Sequence, residues 1–185
     1  RLSEKVKEVV YPKALVVGAG VFGISSAMAL MNYGFKVDIK EKSDGIMKGA
    51  SSINQYRLHR GYHYPRSKET AQECLDGLYS FKRKYQDCVV NGDITHMYSI
   101  ASEDSLVNAD EYKQFLDDLN LPYQEREPMP NCDLTIVAEE ELFNPTLLRQ
   151  NIDKKLWGSN IDVYLNTEIT DLEQCKKDYD VVVIA

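Results

Sequence analysis

The stretch "ALVVGAGVFGISSAM", residues 14–28, sets a short apolar run against three glycines and follows them with small residues. Ala14 to Val17 reads as a strand, and the run from Val21 to about Tyr33 as a helix closed by Gly34. Met28, Leu30 and Met31 are expected on its buried side, with Ser25, Ser26, Ala27 and Ala29 allowing close approach. Between strand and helix, Gly18, Gly20 and Gly23 form G-x-G-x-x-G, with Ala19, Val21 and Phe22 completing the loop. There the first glycine permits a tight turn, the second leaves room for a diphosphate, and the third lets helix and strand pack closely. The helix N-terminus offers free N–H groups and the positive end of its dipole to the phosphates. "FKVDIKEK", residues 35–42, alternates as a second strand and ends at Glu41, whose carboxylate is placed to accept a ribose diol. The bland alternative is a glycine turn beside a surface glutamate.

Composition narrows the setting. The chain has 185 residues, 43% hydrophobic and 28% charged, so one domain, or one domain carrying an insertion, with a buried core is expected. A formal net charge of −7 argues against non-specific binding to nucleic acid or to an anionic membrane. No apolar run is long enough to form a transmembrane segment, and no signal peptide is evident. Cys74, Cys88, Cys132 and Cys175 are scattered without C-x-x-C spacing, which suits idle thiols in a reducing compartment, the cytoplasm.

Beyond the second strand the chain departs from a simple nucleotide-binding unit. A charged lead-in covers residues 1–12, and a polar, aromatic connection runs from Lys42 to about Ser67. An amphipathic helix is expected from Ser67 to about Gln86, and another from Asp110 to Leu119 with Asn108 as cap. A third starts at Pro145, with Asn144 as N-cap and Gly158 as its stop. "THMYSIA", "LTIVA", "IDVYLNTEITDLEQ" and "YDVVVIA" read as strands. The last is nearly all apolar, as in a central parallel strand, and such a strand leads into further chain, so a fragment of a longer protein is expected. The nucleotide-binding unit is thus interrupted: residues 13–94 form its first part, 95–145 an inserted portion and 146–185 the return. A long excursion before the return suits a flavoprotein better than a nicotinamide domain.

"VVGAGVFG", Glu41 followed by Lys42, and "GASSINQYRLHRGYHY" resemble the FAD-dependent oxidoreductases of the D-amino acid oxidase (DAO) family. Asn54 and "LHRGYHY", with His59, Gly61 and Tyr64, are similar to the flavin-facing stretch of L-2-hydroxyglutarate oxidases. The resemblance continues through "FNPTLLRQNI", "VYLNTEITDLE" and "DYDVVVIA". It implies an α/β fold: a Rossmann-like FAD-binding domain of the GR2 type with an inserted α+β substrate-domain portion, the C-terminal half of the family fold being absent. It also implies FAD as cofactor and a small-molecule carboxylate substrate, a 2-hydroxy acid or amino acid, losing a hydride to the flavin. Ser51 and Ser52 would face the pyrophosphate or ribitol, and Asn54 and Gln55 would lie near the flavin. The strand "NTEIT" would present the backbone of Glu168 and Ile169 to the adenine, and Ala185 would be among the cofactor-binding residues.

His59 is the candidate catalytic residue. It could serve as a base, tune or anchor the flavin, or simply pack beside it. Arg57 and Arg60 suit a substrate carboxylate, or equally surface ion pairs. His63 and His96 read as structural, the tyrosines and Trp157 as packing, and "AEEEL" as a solvated strand end; no metal site is expected. Two rival functions share the glycine loop, a nucleotide-binding module without redox chemistry and a flavin-dependent sugar mutase.

Overall fold

The computed structural model describes residues 10–90 and 94–185, so most of the expected lead-in lies outside the described residues. The chain divides into two compact units, residues up to Asn54 with Arg149–Ala185, and Gln55–Leu148.

In the first unit, β1 (Lys13–Val17), β2 (Lys36–Lys40), β9 (Ile161–Tyr164) and β10 (Val181–Ile184) form a parallel sheet of order β10-β1-β2-β9. Its register pairs Val16 with Ile39 on one side and with Val183 on the other. Ala14, Leu15, Val16, Val37 and Ile39 are fully buried. The helix α1 (Val21–Asn32) connects β1 to β2 and buries Ile24 with the small Gly23 and Ala27, rather than the Met28, Leu30 and Met31 face that was expected. A small contact face lets the helix sit close to its sheet. The helix stops at Tyr33 and Gly34, the latter at φ +89°.

Within these residues β10 lies at one end of the strand order, paired with β1 and half-exposed. One sequence expectation fails here. "NTEIT" is not a strand. β9 ends at Tyr164, Asn166 adopts φ +51°, and the amides of Asn166 and Thr167 donate to the carbonyls of Ser43 and Glu41. A helix missed by sequence reading, α5 (Leu172–Asp178), follows, with the Asp171 carboxylate accepting the Gln174 amide.

The second unit carries two antiparallel sheets. One, of order β3-β8-β4, joins β3 (Arg57–Leu58), β4 (Val89–Val90) and β8 (Glu141–Phe143). The other, β5-β7-β6, joins β5 (His96–Ala101), β6 (Tyr123–Arg126) and β7 (Cys132–Ala138). The helix α2 (Lys68–Tyr85) is capped by Ser67, and α3 (Ala109–Asp118) by a full capping box between Asn108 and Glu111. Tyr62, Tyr112, Phe115, Leu116 and Ile136 lie at the centre of its core. The break expected after residue 94 falls inside this unit, because β8 holds residues 57–58 and 89–90 in one sheet. Asn144 caps α4 (Pro145–Leu156) by accepting the amides of Thr146 and Leu147. Trp157, expected to pack, is 89% exposed just past the end of that helix. No helix among the described residues is long and apolar enough to cross a membrane.

Candidate functional site

Gly18 leaves β1 at φ +105°, a conformation that L side chains rarely adopt. A Cβ there would strike the Ala185 carbonyl, and one on Gly23 would strike the Gly18 carbonyl. Gly20 is different: a Cβ there would meet nothing nearer than Ser51 Oγ at 3.6 Å. Two of the glycines therefore close the turn, while the middle one faces open space.

That space is a cavity of about 450 Å³ within the first unit. Gly18, Gly20, Val21, Phe22, Gly23, Glu41, Lys42, Ser51, Glu168, Ile169 and Ala185 all line it, as do Lys40, Ser43, Lys48, Gly49, Ala50 and Thr167, which sequence reading did not single out. Ala19 contributes from behind, its amide donating to Glu41 Oε2 at 2.7 Å. The Ser43 amide donates to Glu41 Oε1 at 2.8 Å. Burial alone would push the Glu41 carboxyl up, but these amides, the Ser43 hydroxyl and the Lys42 charge outweigh it, so the pKa is lowered. Glu41 is thus an anion held against the cavity wall, with lone pairs to spare for a diol.

The N-terminus of α1 opens into the same cavity. Gly20 supplies no side-chain cap, the first turn has no acidic residue, and the Val21 amide donates to Ser51 Oγ at 3.1 Å. Ser51 lies in a short 3-10 turn, Ala50–Ser52, in which Ser52 Oγ donates to the Gly49 carbonyl. Lys40, Lys42 and Lys48 gather positive charge here, in a chain whose net charge is −7. Open backbone before Gly20, anion-seeking amides, lysines and an oriented carboxylate fit the diphosphate and ribose of a dinucleotide.

The other expected residues cluster in the second unit, around one that was read wrongly. Within "AEEEL", Glu139 is exposed, but the Glu140 side chain is completely buried. Glu140 accepts hydrogen bonds from Arg57 Nη2, from the Tyr98 hydroxyl at 3.0 Å and from the Arg60 amide at 3.1 Å. His59 Nδ1 lies 3.5 Å from Glu140 Oε1. Burial pushes the Glu140 carboxyl up, but His59, the Arg60 amide, Arg57 and Tyr98 overcome it and set the pKa at about 2. Arg57 also donates to Tyr98 at 2.9 Å and lies over its ring. Arg60 reaches Glu139 and Glu141, and Lys82 holds Glu141 at 2.8 Å, so the supposed solvated strand end is an ion-pair network. His63 packs against His59, Tyr64 and Tyr98, and both burial and the charge of His59 lower its pKa. Gln55 and Arg57 line a largely apolar cavity of about 550 Å³ with His96, Tyr56 and Phe143. Ser52 and Asn54 line neither cavity. None of the four cysteines forms a disulfide, and no group of metal-ligating side chains occurs among the described residues.

Comparison with known proteins agrees with this geometry. Residues 13–185 match the family described as FAD dependent oxidoreductase, DAO. The chain is 30% identical over 166 residues to the FAD-dependent monooxygenase kojA of Aspergillus flavus, covering 83% of this chain and 38% of that protein. It is 29% identical over 150 residues to the FAD-dependent monooxygenase FPY4 of Fusarium mangiferae, covering 78% and 40%. Its fold is similar to L-alpha-glycerophosphate oxidase from Mycoplasma pneumoniae, solved with FAD bound, with a TM-score of 0.65 at 18% identity over 89% of this chain and 47% of that one. Glycine oxidase from Geobacillus kaustophilus gives 0.63 at 19% identity, over 87% and 48%. The chain spans about two fifths of the length of these curated relatives. With a glycine loop, an acidic residue at the end of β2 and a family match reaching from the first strand to the last, the chain belongs to the DAO family of FAD-dependent oxidoreductases.

Proposed function

We propose that this chain is the dinucleotide-holding part of an FAD-dependent oxidoreductase that oxidises a small 2-hydroxy acid or amino acid, with an L-2-hydroxyglutarate-like substrate as the narrowest form of the reading. The observation that carries it is the cavity before Gly20, where lysines, a helix N-terminus and the anchored Glu41 converge. Bound there, FAD supplies an acceptor for a hydride. The protein's own residues do the holding. The α1 amides and Ser51 would take the diphosphate, Glu41 the ribose, and the backbone of Glu168 and Ile169 the adenine edge. In the second unit, His59 would take the proton of a substrate hydroxyl or amine, while Arg60 and the Arg57 edge of the apolar cavity would attract its carboxylate. Four cysteines that form no disulfide suit the cytoplasm.

The test is anaerobic mixing of the full-length protein with a panel of 2-hydroxy acids and amino acids. Loss of the flavin's visible absorption with one class supports the reading. A yellow protein that no member bleaches would favour a nucleotide-binding role without redox chemistry, and a colourless one that ignores added FAD would sink the flavin assignment. The names of the two fungal relatives favour a second reading, monooxygenation. Heavy-isotope oxygen gas would then label the product, which simple oxidation does not.

A further inference from the structure

The second unit buries a carboxylate whose four neighbours leave it a single orientation. Glu140 Oε2 accepts from Arg57 and from the Tyr98 hydroxyl, and Oε1 accepts from the Arg60 amide. Donors on both oxygens prevent the group from turning. His59 Nδ1 is itself buried, and Oε1 is the carboxylate oxygen it approaches, at 3.5 Å, too far and too poorly aligned to count as a hydrogen bond in this structure. If that nitrogen carried a lone pair, it would face the carboxylate's lone pairs with no proton between them. A proton on Nδ1 would give this buried nitrogen its partner in Oε1 after a small movement, and would leave Nε2 as the acceptor. His59 is 38% exposed, so the ring is reachable from outside while Nδ1 is turned towards the carboxylate.

We propose that Glu140 is the positioning residue for His59: it fixes the Nδ1–H tautomer of the neutral ring and so presents Nε2 as a proton acceptor, while Arg57 and Tyr98 fix Glu140. The same logic orients ligating and catalytic histidines elsewhere, where a carboxylate behind the ring decides which nitrogen is basic. The low carboxyl pKa fits this role, because Glu140 stays an acceptor throughout the pH range in which an imidazole works. Replacing Glu140 by Gln has a defined chemical consequence. Arg57, Tyr98 and the Arg60 amide compete for the one remaining oxygen, and the amide NH₂ is left to face His59. A donor facing Nδ1 forces the proton to Nε2.

The experiment is nitrogen NMR of the full-length protein carrying isotope-labelled histidine, at a pH where the imidazoles are neutral, with His59 identified by loss of its signals in His59→Gln. In the unsubstituted protein His59 is expected as the Nδ1–H form, and in Glu140→Gln as the Nε2–H form. An Nε2–H ring in the unsubstituted protein, or an unchanged tautomer in Glu140→Gln, overturns the proposal. If Glu140→Gln does not fold, the unsubstituted spectrum still decides, and Tyr98→Phe, which keeps the charge, is expected to retain the Nδ1–H form. The catalytic consequence rests on the function proposed above: substrate-driven flavin reduction in Glu140→Gln is expected to fall about 10²–10⁴-fold at unchanged FAD content. The two ideas fail separately. A correct tautomer in a protein that reduces flavin with no substrate sinks the oxidase reading alone, and a wrong tautomer in an active enzyme sinks the positioning role alone.

Discussion

Glu41 Oε2 accepts the amide proton of Ala19 at 2.7 Å, tying the acidic end of β2 to the glycine loop that follows β1. The carboxylate braces the loop through Ala19 and Ser43, and in the proposed site its remaining lone pairs would take a ribose. Glu41→Ala should therefore lower FAD affinity about 10–100-fold and also cost about 1–3 kcal/mol of stability without cofactor. Fluorescence titration with FAD and urea unfolding of the apoprotein check the two effects. Unchanged stability would show that the brace is idle.

The sign of the pH effect follows from the lowered carboxyl pKa of Glu41. A group whose folded pKa is depressed contributes stability that is complete above its ordinary value of 4.5 and is lost as pH falls through the folded value. FAD release on acidification should set in at lower pH than 4.5, and Glu41→Gln should remove that step from a binding-against-pH curve.

Glycine replacements in the loop should separate folding from binding. Gly18→Ala and Gly23→Ala each drive a Cβ into a backbone carbonyl, so both should destabilise by about 2–4 kcal/mol. Gly20→Ala, with 3.6 Å of room, should change stability by less than about 1 kcal/mol yet weaken FAD at least about tenfold, because the methyl would intrude on the proposed phosphate position. Thermal melts with and without FAD distinguish the patterns. Equal damage from all three would remove the diphosphate argument.

Glu140 makes the second unit acid-sensitive. With its folded pKa near 2 against an ordinary 4.5, it supplies about 3 kcal/mol above pH 4.5, lost as pH falls towards 2. Arg57→Met should cost about 3 kcal/mol at neutral pH by leaving the buried carboxylate uncompensated, and should move the acid transition to higher pH. Circular dichroism against pH for both proteins is the measurement.

The tyrosines of the second core give a smaller effect. Tyr112 donates its hydroxyl to the Tyr62 carbonyl at 2.8 Å, and burial pushes its pKa far up. Tyr112→Phe keeps the packing but orphans that carbonyl, so about 1–2 kcal/mol should be lost in urea titration.

How much of this could be read from residues alone depended on how far apart the partners lie. The β1, α1, β2 unit was legible to within a residue or two, since strand alternation, loop glycines and the Gly34 stop are local signals. The capped helices were legible for the same reason, through Ser67, Asn108 and Asn144. Glu140 was not. Three successive glutamates look solvated until Arg57 and Tyr98, far away in sequence, are brought to the middle one. The two-residue strands β3 and β4 were invisible because they exist only through β8, and the break at Asn166 was hidden in a stretch of good strand formers.

The order β10-β1-β2-β9 also has a consequence for biosynthesis. A ribosome releases β1, α1 and β2 first, yet their two flanking strands arrive only after the whole of Gln55–Leu148 has been made. The uninterrupted second unit can fold as it emerges, while the nucleotide cradle waits half-assembled, its β1 edge unpaired. A nascent chain stalled before Ile161 should resist protease in its later segment but not in its earlier one, and FAD can assist folding only after translation has passed that point.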